Sequence, residues 1–223
     1  MNPIIVALDV ESGDEARALV KRLGSAIDFY KVGMELYAAA GMEIVRELCG
    51  QGKQVFLDLK MYDIPETVKR AVRVISKSGA RFLTIHASRA VMQAATEGKQ
   101  GSALQLLAVT VLTSFDRSDL DDYGFTREPS DLVQFLTRKA VETGVEGIVT
   151  SPLECAAVRR IARDAIIVTP GVRSRGTTPG DQKRVATPAE AIAAGANYLV
   201  IGRQITRAPD PAAEARRVLA ELA

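Results

Sequence analysis

Three charged residues stand close together in a pattern suited to proton transfer. Asp58, Lys60 and Asp63 have the spacing Asp-x-Lys-x-x-Asp, and a helical pattern opens just afterwards at Pro65. Because side chains alternate along a strand, Asp58 and Lys60 share one face of the apolar run Gln54–Lys60. Unlike arginine, a lysine can give up a proton, and neighbouring carboxylates keep it charged when it is buried. The spacing therefore indicates acid chemistry at Lys60.

Two further charges end the apolar runs that come before this one. Asp9 lies opposite the apolar face of Ile4–Val10, and Lys31 lies opposite that of Phe29–Met34. Three consecutive runs thus deliver alternating charges to one region. Such charges could be ion pairs that only close one end of the fold, since buried charges must be paired. We favour a functional site, because a cluster of desolvated charges costs several kcal/mol per ion.

The seventh and eighth runs carry a different signal. The seventh ends in Thr169-Pro170-Gly171-Val172-Arg173, and the eighth reaches Gly202-Arg203. Glycines allow the close approach of a phosphate, and Arg173 or Arg203 can grip it. Residues 173–181 have the composition of a mobile lid. An ordinary solvated loop with surface arginines is the alternative.

Smaller polar residues end the fourth and fifth runs. His86, the single histidine, shares a strand face with Thr84. A catalytic role for His86 is open, but we favour a hydrogen-bonded interior position. Thr113 and Ser114 offer hydroxyl and amide contacts of the kind that read the polar edge of a ring, although this pair is common at strand ends.

These residues are carried by a regular alternation of short apolar runs and longer helical patterns. The runs are Ile4–Val10, Phe29–Met34, Gln54–Lys60, Arg81–Ala87, Leu104–Leu112, Gly147–Ser151, Ala165–Val172 and Tyr198–Ile205. The helical patterns are Asp14–Leu23, Glu35–Gly50, Pro65–Ser78, Arg89–Glu97, Ser130–Thr143, Leu153–Arg163, Pro188–Ala194 and Pro211–Leu222. Apolar strands that alternate with helices predict a parallel sheet covered by helices.

Eight strand-then-helix units favour an α/β fold of one particular kind, the (β/α)8 TIM barrel. An open doubly wound sheet is the alternative. We predict a single barrel domain over residues 1–223, shorter than the roughly 250 residues typical of this fold. In a barrel the active site lies at the carboxyl ends of the strands. The charged and polar strand-end residues are therefore expected to meet there.

The amino-acid composition of the chain argues against several classes of protein function. The chain is 47% hydrophobic and 25% charged, with a net charge of +2, which argues against a nucleic-acid binder. Neither CxxC nor HxxxH spacing occurs, which excludes a structural zinc site. The run Ile4–Leu8 is too short for a membrane span, and no basic segment comes before it. We expect a cytoplasmic protein.

The segment Asp58-Leu59-Lys60-Met61-Tyr62-Asp63-Ile64-Pro65-Glu66-Thr67-Val68 resembles the signature of the orotidine 5′-phosphate decarboxylase family. Further matches to the family run the length of the chain. They are Ala7-Leu8-Asp9, Lys31-Val32-Gly33, Leu112-Thr113-Ser114, Thr169-Pro170-Gly171-Val172-Arg173, Gly180-Asp181-Gln182-Lys183 and Ile201-Gly202-Arg203. The Asp-x-Lys-x-x-Asp core alone is shared with related sugar-phosphate decarboxylases and synthases, whereas Ile64, Pro65 and Thr67 make it specific.

The resemblance implies a homodimer that converts orotidine 5′-phosphate to UMP without a metal or organic cofactor. It implies that Lys60 protonates C6 of the ring, that Asp58 lies against the substrate carboxylate, and that Asp63 and Thr67 reach the neighbouring subunit's site. The implied substrate contacts are Asp9 and Lys31 to ribose, Thr113 and Ser114 to the pyrimidine, and Arg173, Gln182, Gly202 and Arg203 around the phosphate.

Three other functions remain open at this stage. A metal-dependent sugar-phosphate decarboxylase or aldol-type synthase would need another acidic ligand, for which Glu35 is the obvious candidate. A Schiff-base aldolase would use Lys60 as a nucleophile, but a lysine held charged between carboxylates is a poor one. A non-catalytic nucleotide-binding barrel would leave the charge cluster without a purpose.

Overall fold

Eight parallel strands close into a barrel in the order in which they occur along the chain. The computed structural model describes residues 2–175 and 186–222. The strands are β1 (Ile4–Ala7), β2 (Phe29–Gly33), β3 (Gln54–Met61), β4 (Phe82–His86), β5 (Gln105–Val109), β6 (Gly147–Val149), β7 (Ile166–Thr169) and β8 (Tyr198–Ile201). The predicted (β/α)8 barrel is confirmed, and the doubly wound alternative is wrong.

Helices surround the barrel and connect its strands. They are α1 (Gly13–Leu23), α2 (Met34–Gly50), α3 (Pro65–Ile75), α4 (Arg89–Gly98), α5 (Arg117–Asp122), α6 (Pro129–Thr143), α7 (Cys155–Ile161), α8 (Pro188–Ala193), α9 (Arg203–Thr206) and α10 (Pro211–Ala220). No helix in these two described stretches has the length and apolar character needed to cross a membrane.

Two of these helices, α5 and α9, were not predicted. A capping box opens α5, in which the Asp116 side chain accepts from the backbone N–H groups of Ser118 and Asp119. The prediction that the eighth strand continues to Ile205 is wrong. Its ladder with β1 ends at Ile201, and the N–H groups of Ile205 and Thr206 bond back to the Gly202 carbonyl. Arg203 therefore opens a helical turn instead of ending a strand.

Side-chain alternation divides the buried residues into two layers. Most strands contribute a buried side chain to the barrel interior. These residues are Ile5, Phe29, Phe56, Phe82, Leu107, Val168 and Tyr198. The opposite strand faces pack beneath the helices, as Val55 and Leu57 of β3 do. The inward register of Phe56 is shared by Asp58 and Lys60, which lie nearer the carboxyl end of β3.

Arg81 caps the amino-terminal end of the barrel interior. Its guanidinium lies 4.9 Å from the centroid of the Phe82 ring and 5.2 Å from that of Tyr198. It donates to the Tyr198 hydroxyl at 2.7 Å and also bonds the Gln54 side chain. Because aromatic rings and this cation fill the lower end, space for a ligand remains at the carboxyl ends of the strands.

Candidate active site

A cavity of about 310 Å³ opens at the carboxyl ends of the strands. Its walls come from strand ends and from the loops that follow them on both sides of the barrel. Nine of the twelve predicted site residues line it, namely Asp9, Lys31, Asp58, Lys60, Thr113, Ser114, Arg173, Gly202 and Arg203. A volume of this size falls within the range of small-molecule sites.

Four charges of alternating sign form a chain along one wall of this cavity. Lys31 Nζ lies 2.8 Å from Asp9 Oδ1 and 3.8 Å from Asp58 Oδ2. Lys60 Nζ lies 3.0 Å from the same Asp58 oxygen. Lys31 and Asp58 are the most buried, with side chains 11% and 14% exposed. The central carboxylate is therefore shared by two ammonium groups in a setting of low solvent access, where charge interactions are strong.

Gly33 leaves the space that this chain of charges occupies. It ends β2 directly beside Asp58 in the β2–β3 register. A Cβ atom at this position would lie 2.7 Å from Lys31 Nζ and 3.1 Å from Asp9 Oδ1. A larger residue would push the Lys31 ammonium out of its present place, so glycine here favours the observed arrangement of charges.

The segment that carries Asp58 and Lys60 departs from regular strand pairing. Leu57 pairs with Leu83 and Met61 with Ile85, so three residues of β3 face the single residue Thr84. Within this bulge Lys60 has a φ of +48°, the one positive φ of a non-glycine residue in the described chain. Bulges re-aim side chains beside active sites. This one turns Lys60 toward Asp58 and the cavity.

The opposite wall is built from the loops that follow β5, β7 and β8. Thr113 and Ser114 follow β5, Arg173 follows β7, and Gly202 and Arg203 follow β8. Gln204 ties the last two loops together. It accepts from the Ser174 backbone N–H at 3.1 Å and donates to the Ser174 hydroxyl at 2.7 Å.

Several cavity residues were missed by sequence reasoning. Thr150, which follows β6, lines the cavity with a buried hydroxyl that has no hydrogen-bond partner within the described chain. Its position at a strand end was the available signal. Gln204 also lines the cavity, and its place directly after Arg203 was the only signal.

Two predicted site residues, Asp63 and Thr67, do not line this cavity in the single chain. The exposed Asp63 carboxylate accepts from the backbone N–H of Ile64 at 2.6 Å. Thr67 lies in the first turn of α3. Gln182 lies outside the described residues. One barrel therefore brings Asp58 and Lys60 together but leaves Asp63 outside the cavity.

His86 is half-buried at the end of β4, with its ring centroid 4.8 Å from that of Tyr62. Burial lowers its pKa, and the nearby positive charge of Lys60 lowers it further. Its expected interior position is only partly right, because the structure gives it a ring contact and no side-chain hydrogen bond within residues 2–175 and 186–222. We therefore do not place His86 among the groups that transfer protons.

Glu35, the extra ligand that a metal-dependent alternative requires, is exposed in the first turn of α2. In the two described stretches, no group of three or more His, Cys, Asp or Glu side chains is arranged to hold a metal ion. The polar groups on the cavity walls are mostly cations, hydroxyls and two carboxylates that are already paired with lysines.

Comparison with known proteins identifies the family. A sequence model of the "Orotidine 5'-phosphate decarboxylase / HUMPS family" matches residues 2–218. The chain belongs to this family. Curated members named orotidine 5′-phosphate decarboxylase include one from Caulobacter sp. (strain K31), 50% identical over 99% of this chain and 96% of its own. Another, from Rhodopseudomonas palustris (strain BisB5), is 48% identical over 99% of this chain and 94% of its own.

Solved structures agree with this membership. The chain superposes on the crystal structure of orotidine 5′-phosphate decarboxylase from Lactobacillus acidophilus with a TM-score of 0.87 and 35% identity, covering 100% of this chain and 99% of that one. An uncharacterized conserved protein from Geobacillus kaustophilus gives a TM-score of 0.86 at 36% identity, covering 99% of this chain and 100% of that one. The family resemblance of the Asp58–Val68 segment is thereby confirmed.

The electrostatics of this family member's site can be tested through its single histidine. His86 is expected to titrate below the ordinary value of about 6.5, because burial and Lys60 both lower its pKa. Lys60→Met should raise the pKa part of the way, since burial is the larger cause. The ring 1H–13C NMR signals measure both values.

The lowered pKa of His86 also determines how this residue makes the stability of the fold depend on pH. The folded chain binds fewer protons at His86 than the unfolded chain, so this residue's contribution to stability is present above about pH 6.5 and is lost as the pH falls toward its folded pKa. An unchanged pKa in Lys60→Met would contradict the proximity of Lys60.

Proposed function

We propose that this protein decarboxylates orotidine 5′-phosphate to UMP, as a carboxy-lyase of pyrimidine biosynthesis. The observation that carries the proposal is the Lys31–Asp58–Lys60 arrangement, in which two lysines face one largely buried carboxylate on the cavity wall. The curated relatives, about half identical over nearly the whole chain, bear the name of this enzyme. Their match supports the decarboxylase over the other activities within the family.

The chemistry requires a cation and a proton at one carbon atom. When the bond from C6 to the carboxylate breaks, carbon dioxide leaves and the electron pair stays on C6 in the plane of the ring, where the ring π system cannot delocalise it. Lys60 is assigned as the group that stabilises this charge and then delivers a proton from Nζ to C6, giving UMP. Preorganised charge of this kind lowers a barrier because it needs no reorganisation during the reaction.

Asp58 is assigned two tasks in this reaction. It orients the Lys60 ammonium, from which it lies 3.0 Å, and it lies against the substrate carboxylate. A carboxylate held beside another carboxylate disfavours the bound substrate, and this repulsion disappears as neutral carbon dioxide departs. Lys31, at 3.8 Å, shares the Asp58 charge and limits the cost of holding it in the cavity.

The remaining walls are assigned to the rest of the nucleotide. Asp9 and Lys31 are proposed to bind the ribose hydroxyls, and Thr113 and Ser114 the edge of the pyrimidine. Arg173, Gln182, Gly202 and Arg203 are proposed to hold the phosphate. Support for the seven assignments other than Gln182 comes from the cavity that these residues share. A phosphate remote from C6 supplies binding energy that can be expressed in the transition state.

The active form is proposed to be a homodimer in which Asp63 and Thr67 complete the neighbouring site. Asp63 is exposed, and its own chain gives it only a local contact with the Ile64 N–H. Large apolar side chains at the ends of β2 and β3 are also exposed: Met34 by 61%, Tyr62 by 68% and Ile64 by 67%. Grouped exposed apolar residues mark protein interfaces. An interface here would carry Asp63 toward a partner.

The experiment that tests the function is a continuous assay of orotidine 5′-phosphate absorbance with purified protein. Loss of substrate absorbance with formation of UMP is expected, and the rate should be unchanged after treatment with EDTA, because no step of the proposed mechanism uses a metal. A protein inactive on orotidine 5′-phosphate contradicts the proposal. An EDTA-sensitive reaction on a sugar phosphate would favour the synthase alternative.

Replacing Lys60 by Ala is expected to reduce kcat at least about a hundredfold, because acid catalysis and charge stabilisation are lost together. UMP binding and the circular dichroism spectrum should change little, since Lys60 lies on the cavity wall outside the apolar core. Lys139→Ala removes a lysine paired with Glu142 on α6 and serves as the control. A Lys60→Ala enzyme that keeps more than about a hundredth of the wild-type kcat would remove Lys60 from its role.

Replacing Arg203 by Ala is expected to lower kcat/KM for orotidine 5′-phosphate about a hundredfold, the scale of a lost charge-assisted phosphate contact. The slow reaction of orotidine, which lacks the phosphate, should barely change. Arg207→Ala makes the same charge change just past the end of α9, away from the cavity, and should leave both substrates unaffected. Equal losses with the two substrates in Arg203→Ala would make Arg203 a structural residue.

Two inactive variants, Lys60→Ala and Asp63→Ala, are expected to complement each other if the sites are shared. In a mixed dimer, one site combines both defects, while the other has an intact Lys60 from one chain and an intact Asp63 from its partner. When equal amounts are unfolded and refolded together, about a quarter of all sites should be active, given symmetric closed pairing.

Each variant refolded alone is the control and should stay inactive. Sites built within one chain, or a monomeric enzyme, would give no recovery of activity in the mixture.

A further inference from the structure

Thr84 stands opposite the β3 bulge, at the point where the pairing of β3 and β4 slips. Its neighbours on the strand keep regular partners: Leu83 pairs with Leu57, and Ile85 pairs with Met61. The three residues between Leu57 and Met61 are therefore left with Thr84 as their only counterpart on β4. Thr84 is completely buried, so its hydroxyl has to find partners within the protein.

The Thr84 hydroxyl contacts both charged residues of the bulge. Its oxygen accepts the backbone N–H of Lys60 at 2.9 Å and donates to Asp58 Oδ1 at 2.8 Å. The bond to Lys60 satisfies a backbone N–H that lies within the bulge. The bond to Asp58 occupies Oδ1, so the other oxygen, Oδ2, faces Lys60 Nζ at 3.0 Å and Lys31 Nζ at 3.8 Å.

The backbone at Lys60 needs such a contact because its conformation is unfavourable. A φ of +48° is rarely adopted by a residue with a side chain and persists where the surroundings hold it. The hydrogen bond from the Lys60 N–H to the Thr84 hydroxyl holds the backbone at this same residue. One hydroxyl thus fixes the backbone that aims Lys60 and the carboxylate that pairs with it.

We propose that Thr84 is a positioning residue that holds Lys60 and Asp58 in the geometry needed for proton delivery to C6. This inference rests on the proposed decarboxylation for its kinetic consequence. Thr84 does not line the cavity, so it acts through Lys60 and Asp58 and makes no contact with the substrate. This role requires the hydroxyl group of Thr84, and a side chain that only fills the same volume would not replace it.

The test compares variants that separate the hydroxyl from the volume of the side chain. Thr84→Val keeps the shape and loses both hydrogen bonds, whereas Thr84→Ser keeps the hydroxyl and loses a methyl group. Thr84→Val should lower kcat for orotidine 5′-phosphate about a hundredfold, the scale of a misplaced reacting group. Its Kd for UMP should stay within about threefold of wild type, and Thr84→Ser should keep kcat within about tenfold.

Thr137→Val is the matched control for deletion of a buried hydroxyl. Thr137 is also completely buried, but its hydroxyl bonds the Val133 carbonyl within α6, away from the cavity. This variant should keep the wild-type kcat, even where its melting temperature falls. If Thr84→Val does not fold, Thr84→Ala supplies the comparison with Thr84→Ser.

Crystal structures of wild type and Thr84→Val separate this inference from the proposed function. The variant is expected to lose the positive φ at Lys60 or the 3.0 Å contact between Lys60 and Asp58. Retention of both would overturn the inference whatever the enzyme's substrate. So would a kcat in Thr84→Val within about threefold of wild type, or an equal loss in Thr84→Ser. A wild-type protein inactive on orotidine 5′-phosphate would instead overturn the proposed function, and the crystallographic comparison would still decide the role of Thr84.

Discussion

The largely buried carboxylate of Asp58 is the group around which the site is organised. A charge in this position is tolerated only when it is paired and hydrogen-bonded, because desolvation of a lone carboxylate is costly. Its two oxygens are divided between different partners: one accepts from Thr84, and the other faces Lys60 and Lys31. Removal of a partner would weaken the compensation of this charge in the cavity wall. The local backbone therefore has to satisfy Asp58 before it can present Lys60.

The barrel supplies this arrangement through register. Parallel pairing sets Gly33 beside Asp58 and Lys31 beside Phe56, so that side chains from neighbouring strands point inward at adjacent levels. Phe56 belongs to the apolar interior, and Asp58 and Lys60 follow it toward the open end. The filled interior below keeps water and ions from reaching the charges from that side. A closed sheet also fixes the spacing between strands, which holds the charges at hydrogen-bond distance.

Much of this was predictable from the sequence, because period-two alternation is a local property. It predicted that Asp9, Lys31, Asp58 and Lys60 lie on inward faces, and the eight strand-then-helix units predicted the barrel. Strand ends were predicted less well: the apolar run of the eighth strand continues to Ile205, but the ladder stops at Ile201 where β1 ceases to pair with it. Such endings depend on neighbouring strands that are distant in sequence.

The β3 bulge and its contact with Thr84 were also beyond sequence reasoning. Thr84 lies 24 residues after Lys60, and only the slip in pairing between β3 and β4 brings its hydroxyl to the Lys60 N–H. Nothing in the sequence near Lys60 indicates a positive φ. Thr150 and Gln204 were missed for a similar reason, since hydroxyl and amide side chains without a motif become informative only when a cavity is seen beside them.

The same geometry gives a physical reason for a composite site. Within the described part of one chain, Lys60 Nζ pairs with a single carboxylate, Asp58, which it shares with Lys31. Under the proposed mechanism, Lys60 both donates a proton and stabilises negative charge at C6. A second fixed anion would help to orient its ammonium group without occupying the space of the pyrimidine ring. Asp63 cannot serve this purpose while it caps its own backbone beside Ile64. Under the proposed dimer, the charge array would be completed only on assembly, which would make the proton donor's orientation depend on the interface.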